Sequence, residues 1–176
     1  MRYRRSQVAG GIYFFTLNLA DRGSDLLLRH MDDFRAVLAQ VKRARPFALV
    51  AMVALPEHLH AIWRLPPGDV DYPMRWSLIK AGFSRRIGKG ECIGASREGK
   101  RERGIWQRRY WEHQIRDELD LARHVDYVHY NPVKHGWVKR PVEWPHSTLH
   151  GYIEREMVTP DWGAYQGGEG GGFGER

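Results

Sequence analysis

An α+β domain of the ferredoxin-like kind, ordered β-α-β-β-α-β with a further C-terminal helix, is what this sequence predicts. Three observations carry the prediction. The apolar run Phe47–Leu55 and the segment His58–Leu65 are separated only by Pro56-Glu57, so they pair as antiparallel strands across a tight turn. Helical periodicity appears twice, at Phe34, Val37, Leu38 and Val41 and again at Trp76, Ile79, Phe83 and Ile87. Right-handed crossovers then place both helices on one face of the sheet and leave the other for a ligand or an extra helix.

The elements follow in order. Gly11–Leu19 is rich in aromatic and β-favouring residues and reads as a strand whose imperfect alternation suits a central position. Asp21-Arg22-Gly23-Ser24-Asp25 is a loop. A helix starting at His30 or Asp32 runs into Lys42-Arg43-Ala44-Arg45, where the dipole favours cations, and ends before Pro46. Pro66-Pro67-Gly68-Asp69 closes the third strand, because prolines and glycine end a sheet ladder. The next helix spans about 72–87 and carries Lys80 and Arg86 on its polar side. Gly88–Gly104 is glycine-rich and charged and has the least ordered composition of the interior. A fourth strand is expected around 109–115 and a helix from Asp117 to about Tyr130. Pro132 should stop that helix, since the residue before a proline resists helical φ/ψ. A packed C-terminal section with a short last helix completes one domain over residues 1–165, and the glycine-rich stretch 166–176 is expected to be a disordered tail.

Composition narrows the function. The 176 residues are 42% hydrophobic, with seven tryptophans, eight tyrosines and six phenylalanines, enough for one real core. No apolar stretch is long enough to span a bilayer, and the N-terminus lacks the h-region of a secretion signal, so the expected location is the cytoplasm, beside the nucleoid. Cys92 is the only cysteine, which excludes an intramolecular disulfide and a cysteine-based zinc site. The net charge is +7 with a pI near 9.7, as suits a polyanionic partner. That surplus is local: Lys80–Arg109 holds ten basic residues against three acidic ones. Either a solvated basic face or a nucleic-acid path through Lys80, Arg85, Arg86, Lys89, Arg108 and Arg109 accounts for it.

Pro56-Glu57-His58-Leu59-His60 is the most specific stretch. On a strand, residues i and i+2 share a face, so His58 and His60 stand side by side while Leu59 turns to the core. Two polar rings in an apolar sheet need partners. A shared divalent metal supplies one, and ordinary hydrogen bonds to carbonyls or water supply another. On the helix after Asp117, with Tyr127 at zero, Asp120, His124 and Asn131 fall at roughly 20°, 60° and 40°, and Leu121, Val125 and Val128 at roughly 120°, 160° and 100°. One stripe is apolar and a neighbouring one carries a phenol, an imidazole and an amide. Tyr127 fits packing or nucleophilic attack, and Asn131 fits a C-cap or a ligand.

Three strings in order, Leu55-Pro56-Glu57-His58-Leu59-His60, Gly104-Ile105-Trp106-Gln107-Arg108-Arg109-Tyr110-Trp111-Glu112-His113 and Asp126-Tyr127-Val128-His129-Tyr130-Asn131-Pro132-Val133-Lys134-His135-Gly136, resemble those of the REP-associated tyrosine transposases. These are relatives of the insertion-sequence 200 type transposases in the single-tyrosine, histidine–hydrophobic–histidine nuclease class. The resemblance covers about residues 8–162. It implies a ferredoxin-like fold, with His58 and His60 as metal ligands, Asn131 as the third, and Tyr127 as nucleophile. It further implies Mg²⁺ or Mn²⁺ as cofactor and single-stranded DNA carrying a palindromic hairpin as partner. The reaction implied is nicking and strand transfer through a covalent 5′-phosphotyrosine, the chemistry of DNA transposition and recombination. Asparagine at 131 points to the REP-associated group, since related enzymes often carry glutamine there. Glu57 departs from the family, which commonly has asparagine before the histidine pair. A phenol needs help to ionise near neutral pH, and His124, on the same stripe, is the expected base. A monomer is expected. The competing readings are a non-catalytic, domesticated binder of hairpin DNA or RNA and a metal-dependent hydrolase without covalent chemistry.

Overall fold

The computed structural model describes residues 8–90 and 103–164. Its elements run β1 (Ile12–Asn18), α1 (Leu26–Arg29), α2 (Met31–Ala44), β2 (Ala48–Ala54), β3 (His58–Arg64), α3 (Tyr72–Arg86), β4 (Trp111–Gln114), α4 (Glu118–Lys134), a 3₁₀ turn (Pro141–Glu143) and α5 (Leu149–Glu154). The four strands make one antiparallel sheet in the order β2-β3-β1-β4. The α+β plait expected from the element order is therefore the fold. The expected tail at 166–176 and the stretch 91–102, with Cys92, lie outside the described residues. No helix among the described residues is long and apolar enough to cross a membrane.

Strand periodicity divides the residues between two layers. Tyr13, Phe15 and Leu17 of β1 and Leu59, Ala61 and Trp63 of β3 face α2 and α3, packing against Phe34, Val37, Trp76, Ile79 and Phe83. The alternate residues, Phe14 and Ile62, join Val53, Leu55, Tyr127, Val128 and Trp144 on the other side, where α4 lies. Acidic residues in the first turn of α2 and basic ones in its last turn complement the dipole. At the start of α3, Met74 N–H donates to Asp71 Oδ1 at 3.2 Å, and Pro73 occupies the first turn where its missing N–H costs nothing.

The helix expected to start at His30 or Asp32 is α2, which begins at Met31, and a short helix not expected from the sequence, α1, precedes it. More consequentially, α4 does not stop at Pro132 but runs on to Lys134. A proline inside a helix forfeits one hydrogen bond and crowds the carbonyl four residues back. Here Pro132 is buried, and the chain past it is still bonded: His135 N–H donates to Asn131 O at 3.0 Å and Trp137 N–H to Pro132 O at 2.9 Å. Gly136, at φ +72°, makes the left-handed exit that a side chain would resist. Asn131 is thus not a C-cap but an interior, fully buried helical residue.

The C-terminal section fastens α4 to the edge strand β2. Trp144 Nε1–H donates to Ala54 O at 2.8 Å, Tyr152 OH to Val50 O at 2.8 Å, and Thr148 Oγ1 to Met52 O at 3.1 Å. Thr148 Oγ1 also accepts from Met52 N–H, so it meets His129 Nε2 at 3.0 Å as an acceptor. Burial holds His129 neutral, with its pKa pushed down to about 4.

Candidate active site

The pairing of β1 with β3 sets Thr16 opposite His60 and Asn18 opposite His58, so both imidazoles point toward α4. Both are almost fully buried, with ring centroids 5.0 Å apart. Each ring is held through Nδ1: His58 Nδ1–H donates to Glu57 Oε1 at 2.9 Å, and His60 Nδ1 is bonded to Thr16 Oγ1 at 2.9 Å. Burial raises the Glu57 carboxyl, but the His58 hydrogen bond and charge and the Arg22 guanidinium, 3.7 Å away, bring it below its ordinary value. With Nδ1 engaged in both rings, Nε2 is the nitrogen each would offer a metal. In His58 that Nε2 is buried and takes no hydrogen bond.

Across from the pair, α4 presents a buried polar stripe. Asp120, His124, Tyr127 and Asn131 are all buried, whereas Leu121 and Val125 are only partly so. The stripe that looked polar on the helical wheel faces the sheet because the sheet is polar there too. The Tyr127 ring lies 5.2 Å from that of His60, edge-on, and Asn131 follows one turn later. Two imidazole nitrogens and an amide oxygen form a donor set that fits a divalent ion, and the unbonded, buried Nε2 of His58 is an atom such an ion would satisfy.

His113 of β4 with Asp120 and His124 of α4 forms a second group, whose ligand atoms lie within 4.8 Å of one another, close enough to hold a metal ion. Asp120 Oδ2 accepts from His113 Nε2 at 3.0 Å and from Arg116 N and Nε at 3.1 Å, so the group also ties β4 to α4. Burial raises the Asp120 carboxyl, but those donors outweigh it and hold it far below the usual carboxylate range. His124 donates from Nδ1 to Asp120 O at 2.7 Å and its ring stacks on His113 at 4.8 Å. Burial depresses its pKa, with the His113 and Arg116 charges adding to the effect and Asp120 opposing it. Phe14 touches both neighbours, 5.0 Å from His124 and 6.0 Å from Tyr127. Lys134 is bonded to the Tyr127 hydroxyl, to which its Nζ donates at 3.3 Å.

No protein-family model matches the chain. It is 45% identical over 160 residues to the REP-associated tyrosine transposase of Escherichia coli K12, covering 91% of this chain and 89% of that one. A Haemophilus influenzae protein of the same family name is 44% identical over 163 residues, 92% of each chain. A solved structure of a REP-associated tyrosine transposase bound to a REP hairpin is similar over 100% of this chain and 98% of its own, with a TM-score of 0.84 and 43% identity. This chain belongs to the REP-associated tyrosine transposase family. It is an enzyme of the histidine–hydrophobic–histidine, single-tyrosine class.

The six basic residues expected to meet DNA divide in two for this transposase. Lys80 is partly buried and donates to Gln107 O at 2.7 Å, docking the segment before β4 onto α3, and Arg86 pairs with Asp33 at 3.6 Å. Arg85, Lys89, Arg108 and Arg109 are exposed. Lys80, Arg85 and Arg108 line an open groove of about 760 Å³ beside α3, on the layer away from the histidine pair, with Arg103, Trp106 and Tyr110. Sequence reasoning overlooked Lys134 and His135, whose ring lies 5.3 Å from that of His58. Both follow Pro132, where the helix was expected to have ended. It placed Asp120 on the Tyr127 stripe but overlooked its partner His113, which no spacing links to it because the two meet only when β4 and α4 pack.

Proposed function

We propose that this transposase is a divalent-metal-dependent endonuclease and strand transferase for single-stranded DNA at palindromic hairpins, working through a covalent 5′-phosphotyrosine at Tyr127. The observation that carries the reading is the Tyr127 ring packed 5.2 Å from His60, the neighbour of His58 on one face of β3. His58, His60 and Asn131 would hold the ion, Mg²⁺ or Mn²⁺, an oxygen-tolerant choice for a site without thiolates. When bound, such an ion supplies Lewis-acid stabilisation to the phosphodiester oxygens. Tyr127 attacks phosphorus, the P–O3′ bond breaks, and the 3′-hydroxyl set free can attack the phosphotyrosine in return. Thr16 and Glu57 orient the two imidazoles for that task. The relative solved with a REP hairpin supports the same class of partner here, and Arg85, Lys89, Arg108 and Arg109 are the exposed cations that would follow its backbone. His124, which shares the Tyr127 stripe of α4 and is held through Nδ1 by the Asp120 carbonyl, is the base in this reading, taking the phenolic proton as Tyr127 attacks.

The test is a hairpin oligonucleotide labelled on either side of the scissile bond and incubated with the protein and Mn²⁺. A denaturation-resistant adduct carrying the 3′-side fragment is expected from the wild type and from Tyr130→Phe, and none from Tyr127→Phe. Cutting by Tyr127→Phe at the wild-type rate would make water the nucleophile. Wild-type protein that binds metal and hairpin yet yields neither adduct nor product would leave a non-catalytic binder.

A further inference from the structure

We propose that Lys134 is a further catalytic residue, whose ammonium stabilises the charge on the Tyr127 oxygen as it attacks and, in the return reaction, as it leaves. The inference rests on the reading of Tyr127 as nucleophile. Lys134 stands seven residues after Tyr127, two turns along α4 and about 20° from it on the wheel. Helical side chains lean toward the N-terminus, so the lysine stem lies back along the helix over the phenol. Nζ reaches the hydroxyl at 3.3 Å and sits 4.7 Å from the ring centroid. It therefore meets Tyr127 twice, once as a hydrogen-bond donor to the reacting atom and once as a cation over its ring.

The electrostatic need follows from burial. Tyr127 is only 6% exposed, and negative charge on the oxygen of so buried a side chain is costly without a compensating donor. Lys134 is exposed, so it brings a positive charge to that oxygen at a smaller desolvation cost than a buried lysine would. A lysine in the last turn of a helix also answers the helix dipole. That role needs only the charge near the carbonyls, not a hydrogen bond to a phenol two turns back. The step balances without Lys134 changing its protonation. The Tyr127 Oη–P bond forms, the P–O3′ bond breaks, and the phenolic proton passes by way of His124 to the 3′ oxygen, which leaves as a hydroxyl. The placement depends on α4 continuing through Pro132, because a helix ended at Tyr130 would not carry Lys134 on the Tyr127 stripe.

Single-turnover adduct formation with a saturating hairpin oligonucleotide and Mn²⁺, compared with hairpin affinity, tests this on wild type, Lys134→Met and Lys134→Arg. Methionine keeps an apolar stem on the phenol and removes the charge. A donor aimed at developing charge is commonly worth 10²–10³ in rate in a dry site, and for one at the solvent edge Lys134→Met should slow adduct formation about 10- to 100-fold with affinity within about threefold. Lys134→Arg should recover most of the rate. Adduct formation by Lys134→Met at the wild-type rate would overturn the proposal. So would a defect in that variant confined to weaker DNA binding and abolished at saturation, which would make Lys134 a phosphate contact. An Lys134→Arg variant as slow as Lys134→Met would overturn it as well, since positive charge would not be what the site requires. Absence of a wild-type adduct would instead overturn the Tyr127 reading, and this inference with it.

Discussion

Phe14 offers a direct test of whether the site's spacing, and not only its residue list, makes the chemistry. Its ring is fully buried and lies 5.3 Å from His60, 5.0 Å from His124, 6.0 Å from Tyr127 and 5.7 Å from Trp111. It is the wedge that separates the His60–Tyr127 contact from the His113–Asp120–His124 group. Truncation to alanine would remove a whole buried ring and cost about 4 kcal/mol, enough to endanger the fold. Phe14→Leu is the informative change, because it keeps most of the apolar volume and loses the flat faces. With aromatic pairs worth about 0.5–1.5 kcal/mol each and partial relaxation of the neighbours, the expected loss is about 1–2 kcal/mol. Tyr127 would gain freedom toward the space the ring vacated, and a displacement of about 1 Å in a reacting group can cost on the order of 100-fold in rate. Urea denaturation and single-turnover adduct formation, measured well below the melting transition, should therefore show a modest stability loss and a rate lowered about 10- to 100-fold, with hairpin affinity unchanged. A stability loss of the expected size with the rate within about twofold of wild type would refute the reasoning, and Phe14 would be core packing alone.

His58→Ala and His60→Ala should each abolish cleavage and Mn²⁺ binding by calorimetry while hairpin affinity stays within a few-fold, because phosphate contacts elsewhere position the DNA. Asn131→Ala should weaken activity less, since water can replace one oxygen ligand; equal Mn²⁺ affinity in wild type and both histidine variants would remove the metal assignment. Binding should fall with salt: if the four exposed cations Arg85, Lys89, Arg108 and Arg109 each meet a phosphate, the log–log slope is about −2.8, at roughly 0.7 per phosphate for a single strand. A slope near zero would mark the basic stretch as a solvated face.

The local arithmetic of the chain was legible because it depends on fixed backbone periods. A period of two places His58 and His60 on one face whatever surrounds them, and the helical period places Tyr127, His124 and Asn131 on one stripe. The two-residue turn at Pro56-Glu57 similarly required β2 and β3 to pair antiparallel, and the pattern of apolar residues located α2 and α3 to within a few positions. Charge counting found the basic stretch. It could not tell that Lys80 donates to Gln107 O or that Arg86 pairs with Asp33, since a formal charge carries no information about its partner.

What the sequence determined by itself, then, is every relation internal to one element: which residues share a strand face or a helix stripe, and which hairpin must close. Relations between elements were decided by tertiary packing. The sheet order puts β1 beside both β3 and β4, and the face left by α2 and α3 is taken by α4. Only then do His60 and Tyr127 touch, and only then does His113 meet Asp120 and His124. Continuation of α4 past Pro132 belongs to the same class. The local cost of a proline is readable in the sequence, but the burial of Pro132 and the closing bonds to His135 and Trp137 exist only in the packed chain, and they bring Lys134 onto the Tyr127 hydroxyl.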